Sequence, residues 1–332
     1  MNSARKFGIV VASLLFAFTT SCNTGKSPDV YYLIAANVQL PYWQTVANGF
    51  NKAAAKYKVQ AKVAGPQSYD PLAELDALQQ AVREKPAGIL ISVADVSILE
   101  RGIESAIRAG IPLITVDSDA PATRRLYFIG TNNIEAGRLG GSRLVDKLNG
   151  KGNVAFFTMP GQPNLEDRLA GFRQILGTQP GIKIVQTVDM KGDAKIAADQ
   201  AQQLLAKTGA QKIDAIVCLE AISGKPVADA VKNAKATDRT VIAWDTDEGT
   251  LNAVRDGTID STIAQKPYTM GYTGLVLLHD VTEAKPSQLN KDFRTDFFSP
   301  YPVFVDTGTT LVDKNNVDLY FSAAAVNNSS NQ

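Results

Sequence analysis

Short apolar runs rich in β-branched residues alternate along the chain with stretches whose apolar positions recur every three or four residues. The runs "VYYLIAA" (30–36), "VQAKVAG" (59–65), "GILISV" (88–93), "PLITVDS" (112–118) and "YFIGT" (127–131) predict strands. Helical spacing between them predicts helices over 42–57, 71–84 and 97–109. The pattern then restarts with "NVAFFTM" (153–159), "IKIVQTV" (182–188), "AIVCLE" (215–220), "TVIAWD" (240–245) and "STIAQ" (261–265). Helices over 133–148, 164–176, 194–207, 222–235 and 247–255 separate these, and another follows over 268–283. The strand runs read as apolar on both faces, the pattern of a parallel sheet covered by helices. Right-handed crossovers make such sheets doubly wound. Two successive sets therefore predict an α/β chain of two similar doubly wound lobes, and the tail 301–321 is too short for a third.

Ligands of open parallel sheets sit beyond the carboxyl ends of the strands. Asn37, Gln39, Tyr42 and Trp43 follow the first strand; Asp117, Ser118 and Asp119 follow "PLITV". Asn164 and Arg168 follow "NVAFFTM", four apart and so on one helix face. Glu220 follows "AIVCL", Asp245 and Asp247 follow "TVIAW", and Gln265 follows "STIA". Carboxylates, amides and Arg make paired hydrogen bonds to hydroxyls, and rings stack on apolar C–H faces, so the set points to a sugar. A competing role exists for each: Asp, Asn and Ser after a strand also cap helices, and Asp193 and Asp247 read as caps. Trp43 begins an apolar stripe (43, 46, 47, 50, 54, 57) that suits a core. Tyr42 lies off that stripe and is expected to stack on ligand.

The ends and the composition narrow the setting. Arg5 and Lys6, an apolar run from Phe7 to Phe18, and small residues up to Cys22 have the layout of an export signal over 1–21. That run is too short to span a bilayer, and no later run is longer. Thr-Thr-Ser before Cys22 resembles a lipoprotein cleavage site, with Thr19 standing where Leu is usual, so Cys22 is the expected lipid anchor. Residues 22–28 then read as a polar tether and 326–332 as a polar tail. Lys+Arg (34) and Asp+Glu (33) nearly cancel, so no basic excess points to nucleic acid. The remaining cysteine, Cys218, lies in an apolar run and is expected to be buried and inert. His279 is the one histidine, which argues against a His-based triad or metal cluster, and no Gly-rich phosphate loop is present. No cofactor or metal is expected.

Taken together, "PYWQTVANGF", "GIPLITVDSD", "YFIGTNNIEAGRLGG", "DRLAGF", "VIAWDTDEG" and "DSTIAQKPYTMGYTG" resemble the periplasmic sugar-binding proteins of ABC importers, the ribose/galactose-binding type with a LacI-like core. The resemblance spans 29–321. It implies a type I periplasmic binding protein fold in which three hinge strands join the lobes. The crossings would lie near Thr131–Asn132, Gln265–Lys266 and Ser299–Val303, giving an N-lobe of 29–131 plus 266–300 and a C-lobe of 132–265 plus 301–325. It implies that Tyr42 and Trp43 stack on a sugar, Asp117 and Asp245 accept from hydroxyls, Arg168 donates, and Gln265 does both near the hinge. Asn37, Asp119, Asn164 and Glu220 complete the expected set. Leu40 stands where ribose binders have Asn, Ser118 where they have Arg, Glu220 where they have Asn, and Gly192 where a ring is expected. Ribose itself is thereby put in question, and a polyol, cyclitol or other monosaccharide fits as well.

The implied function is capture of a monosaccharide or polyol by hinge closure and delivery to an inner-membrane ABC permease. The implied protein is an exported monomer in the periplasm or at the cell surface, touching the membrane only through its anchor. A sugar-sensing partner of a chemoreceptor or sensor kinase would use the same site. A glycosidase with Asp117 and Asp245 as its carboxylate pair is the enzymatic alternative. It is disfavoured because both residues match binding positions and neither neighbourhood reads as apolar enough to raise a pKa. The chain is not expected to be an enzyme.

Overall fold

The computed structural model describes residues 28–321, so the export signal, Cys22 and the last residues of the tail lie outside the described residues. The first sheet is built from β1 (Val30–Ile34), β2 (Gln60–Ala64), β3 (Gly88–Ile91), β4 (Leu113–Val116) and β5 (Phe128–Gly130). Their crossovers are α1 (Pro41–Tyr57), α2 (Pro71–Arg83) and α3 (Val96–Arg108). The chain then enters a second unit: α4 (Asn133–Leu148), β6 (Lys151–Thr158), α5 (Pro163–Leu176), β7 (Gly181–Asp189), α6 (Ala194–Leu205), β8 (Ala215–Cys218), α7 (Gly224–Asn233), β9 (Thr240–Trp244), α8 (Glu248–Asp256) and β10 (Ser261–Ala264). Helix α9 (Pro267–Glu283) returns to the first lobe and packs on α1 and β3. The short strands β11 (Phe304–Asp306) and β12 (Thr310–Val312) close one sheet each.

The two sheets have one topology. Their orders are β11-β5-β4-β3-β1-β2 and β12-β10-β9-β8-β6-β7, so β6 corresponds to β1, β8 to β3 and β9 to β4. Each order reverses beside the first strand of its lobe, the point where doubly wound sheets bind ligands. The central strands β3, β4 and β8 are buried along their whole length, as runs apolar on both faces require. Two expectations are corrected here. The edge strands β2 and β7 are not covered on both faces; β7 alternates, with Val185 exposed, because the helices pack over the central strands and leave the edge faces partly open. And β12 runs antiparallel to β10, so the second sheet is not wholly parallel.

The third connection also lies later than Ser299–Val303. Strand β11 pairs with β5 in the first sheet and β12 with β10 in the second, so the chain changes lobe between Asp306 and Thr310. The crossings are tied side by side. Asp306 Oδ1 accepts from the Asn132 and Gly308 amides at 3.2 and 2.9 Å, and Thr309 Oγ1 donates to the Ala264 carbonyl at 2.8 Å.

Local sequence fixes the helix starts that face the cleft. Proline opens α1, α2, α5 and α9, where its missing N–H costs nothing. Asp70, Asp95, Asp193 and Asp247 accept from amides of the first turn, so the capping read for Asp193 and Asp247 holds. Two helix pairs cross at reciprocal glycines. A Cβ on Gly49 or Gly271 would stand 2.0 or 1.9 Å from a carbonyl oxygen of the opposite helix in the α1/α9 pair. In the α4/α5 pair the distance is 2.2 Å for both Gly137 and Gly171. Backbone-to-backbone contact thus sets the position of α1, which carries Tyr42 and Trp43, and of α5, which carries Asn164 and Arg168.

Candidate functional site

A cavity lies between the lobes at the carboxyl ends of β1, β3 and β4 on one side and of β6, β8, β9 and β10 on the other. Nine of the ten residues named from the sequence line it: Asn37, Tyr42, Trp43, Asp117, Asn164, Arg168, Glu220, Asp245 and Gln265.

Arg168 is the centre of the polar wall. It is 2% exposed. Its Nε donates to Asn133 Oδ1 at 2.8 Å, Nη1 to the Leu219 carbonyl at 2.7 Å and Nη2 to Gln265 Oε1 at 3.0 Å. The guanidinium lies 4.6 Å from the centre of the Trp244 ring, a cation–π contact in a desolvated setting. Gln265 connects this group to the hinge: its Oε1 also accepts from Thr131 Oγ1 at 2.9 Å, and its Nε2 donates to Asp245 Oδ1 at 2.8 Å. Thr131 and Gln265 belong to the first two crossings, so the hinge and the polar wall share one hydrogen-bond network.

Asp117 joins the lobes. Its Oδ1 accepts from the Tyr42 hydroxyl at 2.7 Å and its Oδ2 from Asn164 Nδ2 at 3.1 Å, the latter reaching across from the second lobe. With this bond the lobes are closed on each other. Burial is the first cause of the raised pKa values of Asp117, Glu220 and Asp245, and it pushes Asp245 up to about 7; the Arg168 charge opposes it at all three. The sequence reading that neither Asp117 nor Asp245 has a perturbing neighbourhood is therefore corrected. Leu40 and Trp43 of the first lobe and Met159 and Leu165 of the second line the cavity with these carboxylates, so the apolar setting is not legible from flanking residues.

The two aromatic rings have different surroundings. Trp43 is 5% exposed and packs in the core of the first lobe while also lining the cavity, so its helical stripe and its site position are both real. Tyr42 is half-buried, edge-on to Trp43 at 5.4 Å, with its hydroxyl committed to Asp117. Asn37 folds back to accept from the Gln39 amide at 2.9 Å. Glu220 accepts from the Ile222 amide at 2.5 Å and from the Ser223 hydroxyl, so its carboxylate shapes the loop after β8 as well as lining the cavity.

Asp119 does not line the cavity. Arg125 Nε and Nη2 donate to its two oxygens at 2.6 and 2.5 Å, and Thr115 Oγ1 donates to Oδ1 at 2.5 Å. Arg125 also holds the Val303 carbonyl, so Asp119 anchors the returning tail. Its expected role as a ligand acceptor is replaced by this structural one, because a guanidinium six residues away saturates it. Sequence reasoning missed Tyr69, Ser92, Met159, Gln162 and Ile222, all of which line the cavity. Ser92 directly follows β3, and Tyr69 lies in the loop after β2; extending the strand-end rule to these two strands finds them.

Among the described residues no group of His, Cys, Asp or Glu is arranged to hold a metal, and no helix is long and apolar enough to cross a membrane. Cys218 is fully buried and its thiol pKa is raised by burial, as its apolar run implied.

Residues 31–286 match the periplasmic binding protein domain family. A solved sugar-binding protein of a sugar ABC transporter from Bacillus halodurans is similar at 34% identity and a TM-score of 0.75, covering 88% of this chain and 99% of that one. GanP, a glucose-galactose binding protein from Geobacillus stearothermophilus, is similar at 26% identity and a TM-score of 0.79, with coverage of 88% and 99%. The ribose import binding protein RbsB of Bacillus subtilis is 22% identical over 257 residues, which are 77% of this chain and 82% of the relative.

Proposed function

The chain belongs to the periplasmic binding protein domain family, and from that premise we propose that it is the solute-binding protein of an ABC sugar importer, holding a monosaccharide or polyol between its lobes. The observation that carries this reading is the cavity wall. Three buried carboxylates surround one buried guanidinium, with Asn and Gln amides beside them and rings from α1 opposite. Such a wall suits a neutral ligand dense in hydroxyl groups, which donate to carboxylates and accept from Arg and amides. Asn37, Tyr42, Trp43, Asp117, Asn164, Arg168, Glu220, Asp245 and Gln265 are the proposed contacts. The Asp117–Asn164 bond between lobes supports a closure that presents one shape to a permease when ligand is held. The lobes so joined are 29–131 with α9 and β11, and 132–265 with β12. We infer that the protein acts as a monomer, is exported by residues 1–21, and is anchored by lipid at Cys22.

The site returns its ligand unchanged. The test is thermal unfolding against D-ribose, D-glucose, D-galactose, D-arabinose, xylitol and myo-inositol, followed by chromatography of the recovered compound. A ligand at a thousandfold excess over its Kd adds about 4 kcal/mol by mass action. A clear shift with unaltered compound supports the reading; conversion of the compound would make the chain an enzyme. The intact mass of the exported protein reads the Cys22 anchor directly.

A further inference from the structure

Tyr69 lies in the loop between β2 and α2 and packs against the hydrophobic cores of both lobes. Its partner in the second lobe is Gly192, at φ +70 in the loop between β7 and α6. A Cβ on Gly192 would stand 2.4 Å from Tyr69 Cβ and 3.0 Å from Cγ. The ring is also fixed from its own side: its hydroxyl donates to the Ala94 carbonyl at 2.9 Å, which turns the hydroxyl away from serving as a ligand donor. Gln162 of the second lobe reaches the same hydroxyl, which lowers the hydroxyl pKa against the larger rise from burial. Tyr69 and Gln162 both line the cavity.

We propose that Tyr69 is a specificity-determining residue that walls the ligand cavity and seats in the Gly192 socket, so that the lobes close only when position 192 lacks a side chain. The ligand then meets aromatic rings from the first lobe alone, Tyr42 and Trp43 from α1 and Tyr69 from the loop after β2. The facing wall of the second lobe supplies Met159, Leu165 and Ile222, which are apolar but not aromatic. A flat apolar C–H face is therefore met by rings of the first lobe alone, whereas hydroxyls are read from both lobes, by Asp117 on one side and by Arg168, Asn164 and Asp245 on the other. This assignment rests on the cleft being the ligand site.

Two measurements decide it. In the first, Kd is measured for the sugars and polyols above with the native protein, Tyr69→Gly, Tyr69→Phe, Gly192→Ala and Tyr69→Gly/Gly192→Ala. Gly192→Ala is expected to weaken binding by at least thirtyfold in the native background and less than threefold beside Tyr69→Gly, which removes the Cβ that the new methyl would strike. Backbone strain at position 192 is common to both backgrounds and cancels. Tyr69→Phe is expected to stay within threefold of native, since the ring fills the socket. Equal losses for Gly192→Ala in both backgrounds, or none, would overturn the proposal. The second measurement needs no ligand. Tyr69→Cys/Gly192→Cys is oxidised mildly and scored for a disulfide by intact mass; an opening of about 1–2 Å brings the two Cβ atoms to bonding separation. Crosslinking that is rapid relative to Tyr69→Cys/Lys195→Cys, at an exposed position, supports the socket. Failure to crosslink faster than that control overturns it, even for a protein silent to every compound, whereas that silence alone counts against the sugar-binding reading.

Discussion

Asp117 and Asp245 occupy the same station in the two lobes. Each follows the strand at one sheet position, β4 or β9, and each adopts the left-handed backbone region, at φ 63 and 67. Each donates its amide to the next strand, to the Ile129 carbonyl at 3.0 Å and the Ile263 carbonyl at 2.9 Å. Aspartate tolerates this region better than most residues, and the turn aims both carboxylates into the cleft.

Substitutions at these positions should therefore separate backbone from side chain. Asp117→Gly and Asp245→Gly keep the turn and lose the carboxylate; the alanine variants also strain it, by about 1–2 kcal/mol. Chemical unfolding of the unliganded protein is expected to rank glycine above alanine at both sites. All four variants should lose ligand binding by at least tenfold in calorimetry.

Arg168→Ala leaves Asp117, Glu220 and Asp245 buried without their common cation. A loss of about 3–5 kcal/mol in stability is expected, because the buried Asn133 and Leu219 acceptors lose their charged donor and nothing then opposes the burial of the carboxylates. Arg168→Lys restores charge but not the three-way donation to Asn133, Leu219 and Gln265. Denaturant titration should show partial recovery of stability, and binding should remain impaired.

Stability without ligand should fall as pH rises from about 4 to 7. Asp245 ionises near 7 in the folded chain but near 3.9 when unfolded, so the folded state holds the extra proton across that window. The contribution is full below the unfolded value and lost above the folded one, with an upper bound on the order of 4 kcal/mol. Asp117 and Glu220 shift in the same direction. The melting temperature is expected to drop by several degrees between pH 5 and 8, and Asp245→Asn should flatten that drop. A ligand whose hydroxyls donate to ionised Asp245 should bind more tightly at pH 8 than at pH 6.

Tyr42 and Trp43 should respond differently to truncation. Tyr42→Ala removes a cavity wall and the bond to Asp117 from a half-buried position, so binding should suffer at least tenfold with a modest loss of stability. Trp43→Ala empties a core position and should cost about 3–5 kcal/mol. Melting curves of the unliganded variants, set beside their Kd values, check the distinction.

The sequence pattern located the elements because parallel strands and amphipathic helices are local signals. The predicted helix over 133–148 coincides with Asn133–Leu148, and that over 42–57 starts one residue inside Pro41–Tyr57. Strand-end logic reached Arg168, Gln265 and Asp245, since doubly wound sheets put these ends together. It could not separate Asp119 from them. The Arg125 that occupies Asp119 lies across a turn, and saturation of a carboxylate is a matter of distance rather than order. Tyr69 follows β2 and was within reach of the same rule, but its pairing with Gly192 was not: the two lie in different lobes, and the missing Cβ that admits the ring leaves no positive mark.

Both tryptophans of the chain stand at the cleft: Trp43 on its wall and Trp244 under the Arg168 guanidinium. No indole elsewhere contributes a background, so the tryptophan emission, excited to the red of the tyrosine band, is an optical signal of this one site. The protein carries its own fluorophore for occupancy, and a stopped-flow trace could time capture and release with no label attached.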